Sequence, residues 1–459
     1  MENFKRINTK DIAPLLKPGK KILFANVPAD GHFNPLTGLA MHLKSIGCDV
    51  RWYTGKLYAD KVKALDIPYY PFKKALDFDP ETFDQDFPER NKIKSVIGKL
   101  NFDLINIFIL RGPEYYTDIV EIYKDFPFDL MIADIAFSGI PFVKEAMGIP
   151  VISISVFPLV ETSKDLPPTG LGMHPSTSFF GRRKQDFLRF LCDKVLFRKP
   201  NKVAKKVLGA YNIKADGIVF DIHVKKSTLV LQSGSPGFEY NRSDLGKNVR
   251  FIGALLPYSK KRQQAPWYDK RLEQYRRVIL VTQGTVEKDE KKLLVPTLEA
   301  FKNTDYLVIV ATGGSGTQAL RTKFPQHNFI IEDFIPFGDV MPYCNVYITN
   351  GGYGGVMLGL ENNLPMVVAG VHEGKNEINA RIGYFKLGVD LRTEFPTAAQ
   401  VRTGVEKVMA NKEYKRNVER LKLELSTYNP QLLCEKYVLE ILNEKPAVAA
   451  GTSIASLLN

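Results

Sequence analysis

The sequence predicts an α/β protein made of two parallel-sheet domains, one after the other, facing a cleft. Three observations carry this expectation. Short apolar, β-branched runs alternate with helical patterns in both halves of the chain. A polar, basic segment without apolar periodicity separates the halves. Each half opens with a strand running into a glycine-containing loop, the edge at which open α/β sheets bind ligands. The 459 residues, 44% hydrophobic and 25% charged, suit several compact units and exclude a disordered or fibrous chain.

Taken in order, residues 21–27 read as a strand, 36–46 as a helix ended by Gly47, and 50–53 as a second strand. Further strands are expected at 130–133, 151–155, 228–232 and 249–255. The aromatic stretches 68–128 and 156–215 lack strand signals and are expected to shape a substrate pocket. After the linker the pattern restarts at 278–282, 306–311, 329–332, 346–349 and 366–369. The expected divisions are therefore a first domain at 1–255, a linker at 256–277 and a second domain at 278–428. A helical segment at 429–445 follows, with a tail at 446–459 whose small, polar composition predicts disorder.

The net charge of +13 arises from 63 basic and 50 acidic residues. The cations are spread widely and lack the aromatic interleaving of a nucleic-acid groove, so no nucleic-acid partner is expected. A helix at 182–198 sets Phe187, Phe190, Leu191, Val195 and Leu196 beside many cations, which fits either a membrane surface or a lid over an apolar pocket. No window approaches the ~20 continuous apolar residues of a membrane span, and the first residues lack a secretory core. Cys48, Cys192, Cys344 and Cys434 form no CxxC pair, so reduced thiols in the cytoplasm are expected, without a metal site.

The first loop runs from Pro28 to Pro35. Gly31 would permit a tight turn and Pro35 would suit the first turn of the next helix, holding His32 at the carboxyl edge of the sheet. Asp134 ends another strand and should reach the same edge, where a carboxylate could orient the imidazole for general-base work. A surface His32 and an Asp134 that caps the next helix are the alternatives. In the second half, Asn350-Gly351-Gly352-Tyr353-Gly354-Gly355 opens a helix, and four glycines beside a helix amino terminus suit a diphosphate. Gln283-Gly284-Thr285 is a second such loop. GxSxG, HExxH, GxxxxGK[ST] and a GxGxxG after the first strand are all absent, which disfavours serine hydrolase, zincin, P-loop and nicotinamide-enzyme readings.

These residues resemble glycosyltransferase family one, the nucleotide-sugar enzymes of GT-B architecture that include bacterial macrolide and plant natural-product transferases. The resemblance runs from about 20 to 443 and is strongest over 278–390. It implies two Rossmann-like domains across a cleft, with His32 as catalytic base and Asp134 as its partner. It also implies donor contacts at Gly284, Thr285, Phe334, Ile335, Asn350, Gly352, Gly354 and Gly355, Phe334 standing where an aromatic stacks on the base. Several positions depart from the family pattern. Asn350 replaces a His at the diphosphate, Leu358 replaces a Glu that binds the ribose, with Glu361 one turn later as a possible substitute, and Lys375-Asn376 replaces the pair that holds the sugar. In the resembled fold the last helix crosses back onto the first domain.

The expected activity is an inverting, metal-independent transfer of a sugar, glucose from UDP-glucose, to a hydroxyl of a small, largely apolar acceptor such as a phenolic, sterol or macrolide. Phe33, Tyr115 and Phe157 are the expected acceptor contacts, and a UDP- or dTDP-sugar is the co-substrate, with no cofactor. Rival readings are a transferase acting on a membrane lipid, a nucleotide-sugar epimerase, and a noncatalytic nucleotide-sugar sensor.

Overall fold

The computed structural model describes residues 16–77, 83–259, 266–284, 287–372 and 374–442. The expected tail at 446–459 lies outside them. Two parallel sheets are present. The first holds β1 (Lys21–Ala25), β2 (Asp49–Thr54), β3 (Tyr69–Pro71), β4 (Leu130–Asp134), β5 (Val151–Ser155), β6 (Leu229–Gln232) and β7 (Val249–Phe251), in the order β3-β2-β1-β4-β5-β6-β7. The second holds β8 (Arg277–Thr282), β9 (Tyr306–Ala311), β10 (Phe329–Glu332), β11 (Val346–Thr349), β12 (Met366–Val368) and β13 (Gly388–Asp390), in the order β10-β9-β8-β11-β12-β13. The helices that frame the cleft are α1 (Asp30–Ser45), α2 (Val96–Asp103), α3 (Phe179–Leu191), α4 (Arg198–Gly209), α5 (Val219–Lys226), α6 (Tyr353–Glu361), α7 (Lys375–Tyr384) and α8 (Pro430–Ile441).

The strand β1 shows why its residues form a central strand. Ile22 and Phe24 enter one core beneath α1, while Leu23 and Ala25 enter a second core on the opposite face. Period-two alternation between two dry faces leaves no polar position, which produces the continuous apolar run. Leu36, Leu39, Ala40 and Leu43 follow helical spacing along α1 and close the first of these cores. Cys434, Val438 and Leu439 of α8 complete it, so the end of the second half is built into the first domain.

Two details differ from the sequence reading. The helix α1 begins at Asp30, so His32 lies in its first turn rather than in a loop, and Pro35 sits inside the helix, with no N–H to offer the Gly31 carbonyl. Gly31 has no left-handed backbone, so a tight turn is not its reason for being there. The helix expected at 182–198 is α3, a π-helical turn at Cys192–Leu196 and the start of α4.

Candidate active site

In each sheet the strand order reverses beside its first strand, between β1 and β4 and between β8 and β11. Such switch points open a crevice at the carboxyl ends of the strands. The strand β1 pairs with β4 as Ala25 with Ala133, which sets the loop into α1 beside Asp134. There His32 Nδ1 lies 2.9 Å from Asp134 Oδ1. The fully buried carboxylate also accepts from the N–H of Val27 and Ala136, each at 2.9 Å. Asp134 therefore both secures its own turn and orients the imidazole. With Nδ1–H donating to the carboxylate, Nε2 is left as the acceptor.

His32 borders a cavity of about 540 Å³ walled mainly by apolar side chains, among them Leu104, Phe142, Phe157, Phe197 and Phe220. Leu104, Phe157 and Phe197 come from the aromatic stretches in which a pocket was expected, Phe142 and Phe220 lie outside them, and the volume suits a small molecule. Phe157 stands edge-on to His32, with ring centroids 6.2 Å apart. Phe33 and Tyr115 are corrections. Phe33 packs on Trp52 and Tyr58 within the β1–α1 core, and Tyr115 stacks on Phe137 at 4.4 Å on the far side of the sheet. Both rings are large apolar surfaces on faces their elements turn inward, and neither lines the cavity.

The second half borders the same cavity through Val371, His372, Gly374, Asn376 and Glu377. Asn376 is held there from the first half, since its Nδ2 donates to the Gly170 carbonyl at 2.7 Å. Lys375 opens α7 beside it. At the second switch point Asn350 Nδ2 donates to the Gln283 carbonyl and Oδ1 accepts from Gly352 N at 3.3 Å, tying both glycine loops together. An amide carries two N–H groups, so one remains for a ligand. Gly351 has φ +87° and a Cβ there would collide with Asn379, so no other residue fits. Gly354 has open space around it at the amino end of α6. Thr285 lies outside the described residues.

Phe334 is exposed, and its ring lies against Gly314 at the carboxyl ends of β9 and β10. Ile335 has its side chain buried in the core of the second domain, which leaves only its backbone to meet a donor. Glu361 closes α6, about two turns from Gly354 by the helical repeat. Leu358, one turn before it, packs partly on the same core.

A family model described as UDP-glucoronosyl and UDP-glucosyl transferase matches residues 133–427. The chain belongs to this family. Among its relatives, the 4'-demethylrebeccamycin synthase of Lentzea aerocolonigenes is 33% identical over 407 residues, covering 88% of this chain and 95% of that protein. The UDP-glycosyltransferase 2 of Phaeomoniella chlamydospora is 30% identical over 430 residues, covering 90% and 93%. A solved structure, the glycotransferase of kitacinnamycin, superposes with a TM-score of 0.71 at 18% identity over 93% of this chain and 100% of its own. The fold is the GT-B arrangement of two Rossmann-like domains.

Three features of this UDP-glycosyltransferase escaped the sequence reading. His223 on α5 lines the cavity beside His32 and holds Nδ1 2.7 Å from the Ile135 carbonyl; burial pushes its imidazole below the ordinary value, so Nε2 is a neutral acceptor. Nothing local in Phe-Asp-Ile-His-Val marks it. The loop Gly313-Gly314-Ser315-Gly316, facing Phe334, was legible as a glycine cluster. Glu377 accepts from Gly170 N at 2.9 Å and Gly172 N at 2.8 Å, fastening a loop of the first domain to α7. Only the fold brings those partners together.

Proposed function

We propose that this UDP-glycosyltransferase is inverting and metal-independent, and that it moves glucose from UDP-glucose to a hydroxyl of a small, largely apolar acceptor. The observation that carries the reading is that His32, oriented by Asp134, shares one apolar cavity with the amino end of α7. A general base and sugar-holding side chains thus meet across the cleft. The acceptor oxygen attacks the anomeric carbon while its proton passes to His32 Nε2. The bond from that carbon to the diphosphate oxygen breaks, and its electron pair leaves with UDP. Asp134 stabilises the imidazolium, and the N–H groups at the start of α6, with Asn350, stabilise the leaving diphosphate. Four free, buried cysteines fit a reducing cytoplasm.

The test is mass spectrometry of phenols, sterols and macrolides incubated with UDP-glucose in the presence and absence of EDTA. A hexose adduct should form in both. His32→Ala should lower turnover by about 10²–10⁴-fold with donor affinity nearly unchanged. An isomerised nucleotide sugar without adduct, or wild-type turnover in the His32 variant, would sink the proposal.

A further inference from the structure

The helix α3 is inside out. Its polar Gln185 is 2% exposed and donates to the Asp165 carbonyl at 3.2 Å, while its oxygen accepts from Ser176 N at 2.6 Å. Arg189 turns the same way and donates to the Leu166 carbonyl. Phe180, Phe187 and Phe190 are 84%, 62% and 59% exposed. At 3.6 residues per turn these three rings share one flank, opposite Gln185, Arg189 and Cys192. Phe179 and Val195 extend the exposed surface, and exposed rings on three of four successive turns call for a cover.

The cations indicate which cover. Residues 179–209 carry ten basic side chains and two acidic ones, Asp186 and Asp193. Arg182, Arg183, Lys184, Lys194, Arg198, Lys199, Lys202, Lys205 and Lys206 are all exposed. A second exposed apolar cluster, Val96, Ile97 and Leu100 on α2, stands nearby, because Asn101 Nδ2 donates to the Leu196 carbonyl at 2.8 Å. Val96 and Leu100 also line the cavity that holds His32. No helix among the described residues is long and apolar enough to cross a membrane.

We propose that α3 and the start of α4 dock this enzyme on an anionic lipid surface, with the aromatic flank in the headgroup region and the cations on the phosphates. Aromatic and apolar side chains framed by Lys and Arg are the chemistry that lies in such an interface. The exposed cluster on α2 beside this face lines the cavity through Val96 and Leu100, which gives an acceptor dissolved in the bilayer an apolar way in.

Flotation of the full chain with vesicles tests this without any turnover, so its failure is separate from failure of the proposed reaction. Vesicles of phosphatidylcholine and phosphatidylglycerol should carry the protein. Pure phosphatidylcholine vesicles, or anionic vesicles in high salt, should carry at least about tenfold less. The triple variant Phe180→Ser, Phe187→Ser, Phe190→Ser should lose anionic-vesicle binding while keeping its melting temperature and its turnover of a water-soluble phenol. Arg183→Glu with Lys184→Glu should weaken binding with every aromatic in place. Equal flotation with both lipids, or undiminished binding by the serine variant, overturns the proposal. A dimer in solution that the serine substitutions dissolve also overturns it, since a second copy would then be the cover.

Discussion

His32 and His223 show how differently two imidazoles of one cavity are held. The first is oriented by a carboxylate and the second by a carbonyl, with burial lowering the pKa of the second below its ordinary 6.5. A histidine that resists protonation in the folded state destabilises the fold on acidification, because the unfolded chain takes up a proton that the native state refuses. Its effect is absent above about pH 6.5 and grows as the pH falls below that value. His223→Gln should therefore lose less melting temperature than the wild type between pH 7.5 and 5.5, and a parallel decline in both would refute the assignment. The His32–Asp134 pair was legible because a strand end fixes where its next residue lies. Phe33 and Tyr115 were not, since aromatic type says nothing about which flank of an element faces a cavity, and each rings a core instead. Phe157 follows the strand β5 directly and thus reaches the sheet edge with His32.

At the scale of elements, long apolar strands were read closely. Tyr306–Ala311, Phe329–Glu332 and Val346–Thr349 occur with the expected bounds because strands dry on both faces leave an unbroken apolar signature. The edge strands Tyr69–Pro71 and Gly388–Asp390 were missed: each has three residues, with proline or glycine in it, and gains its place only by pairing with the strand inside it. The glycine loop before α6 was legible, and its departures from the family pattern give a prediction. A carboxylate accepting from a ribose hydroxyl contributes about 1.5–3 kcal/mol, and Leu358 cannot supply it. Use of dTDP-glucose should fall within about tenfold of UDP-glucose, and Leu358→Glu should widen that gap by roughly 10–150-fold. Measured kcat/KM values for both donors decide it. A wild-type preference of a thousandfold for uridine would point to Glu361 as the ribose contact, and the Lys375→Asp, Asn376→Gln pair should change the choice of sugar more than that of base.

Across the whole molecule the halves are fastened by charge as well as by packing. Arg381 of α7 is buried and donates to Glu239 Oε2 at 2.9 Å and to Glu377 Oε2 at 3.2 Å, with its guanidinium 4.3 Å from the centroid of Tyr240. Tyr353 at the head of α6 donates to the Ser233 carbonyl at 2.6 Å, a second tie from the second half to the first. Removing one member of a buried ion pair leaves its partner uncompensated and costs about 3–5 kcal/mol. Arg381→Met should lower the free energy of unfolding, measured by denaturant titration, by that amount, and adding Glu239→Gln should restore part of it; an unchanged stability in Arg381→Met would show that the pair does not join the halves. A different consequence follows from α8. Cys434, Val438 and Leu439 complete the core under β1, while His42 Nε2 of α1 meets Glu435 Oε2 at 2.9 Å. The half synthesised first therefore waits on residues translated after the whole second sheet. For the same reason, grafting a foreign second half onto this first half takes two crossovers, one near the linker and one ahead of Pro430, and a chimera joined at the linker alone would inherit a mismatched α8 against α1.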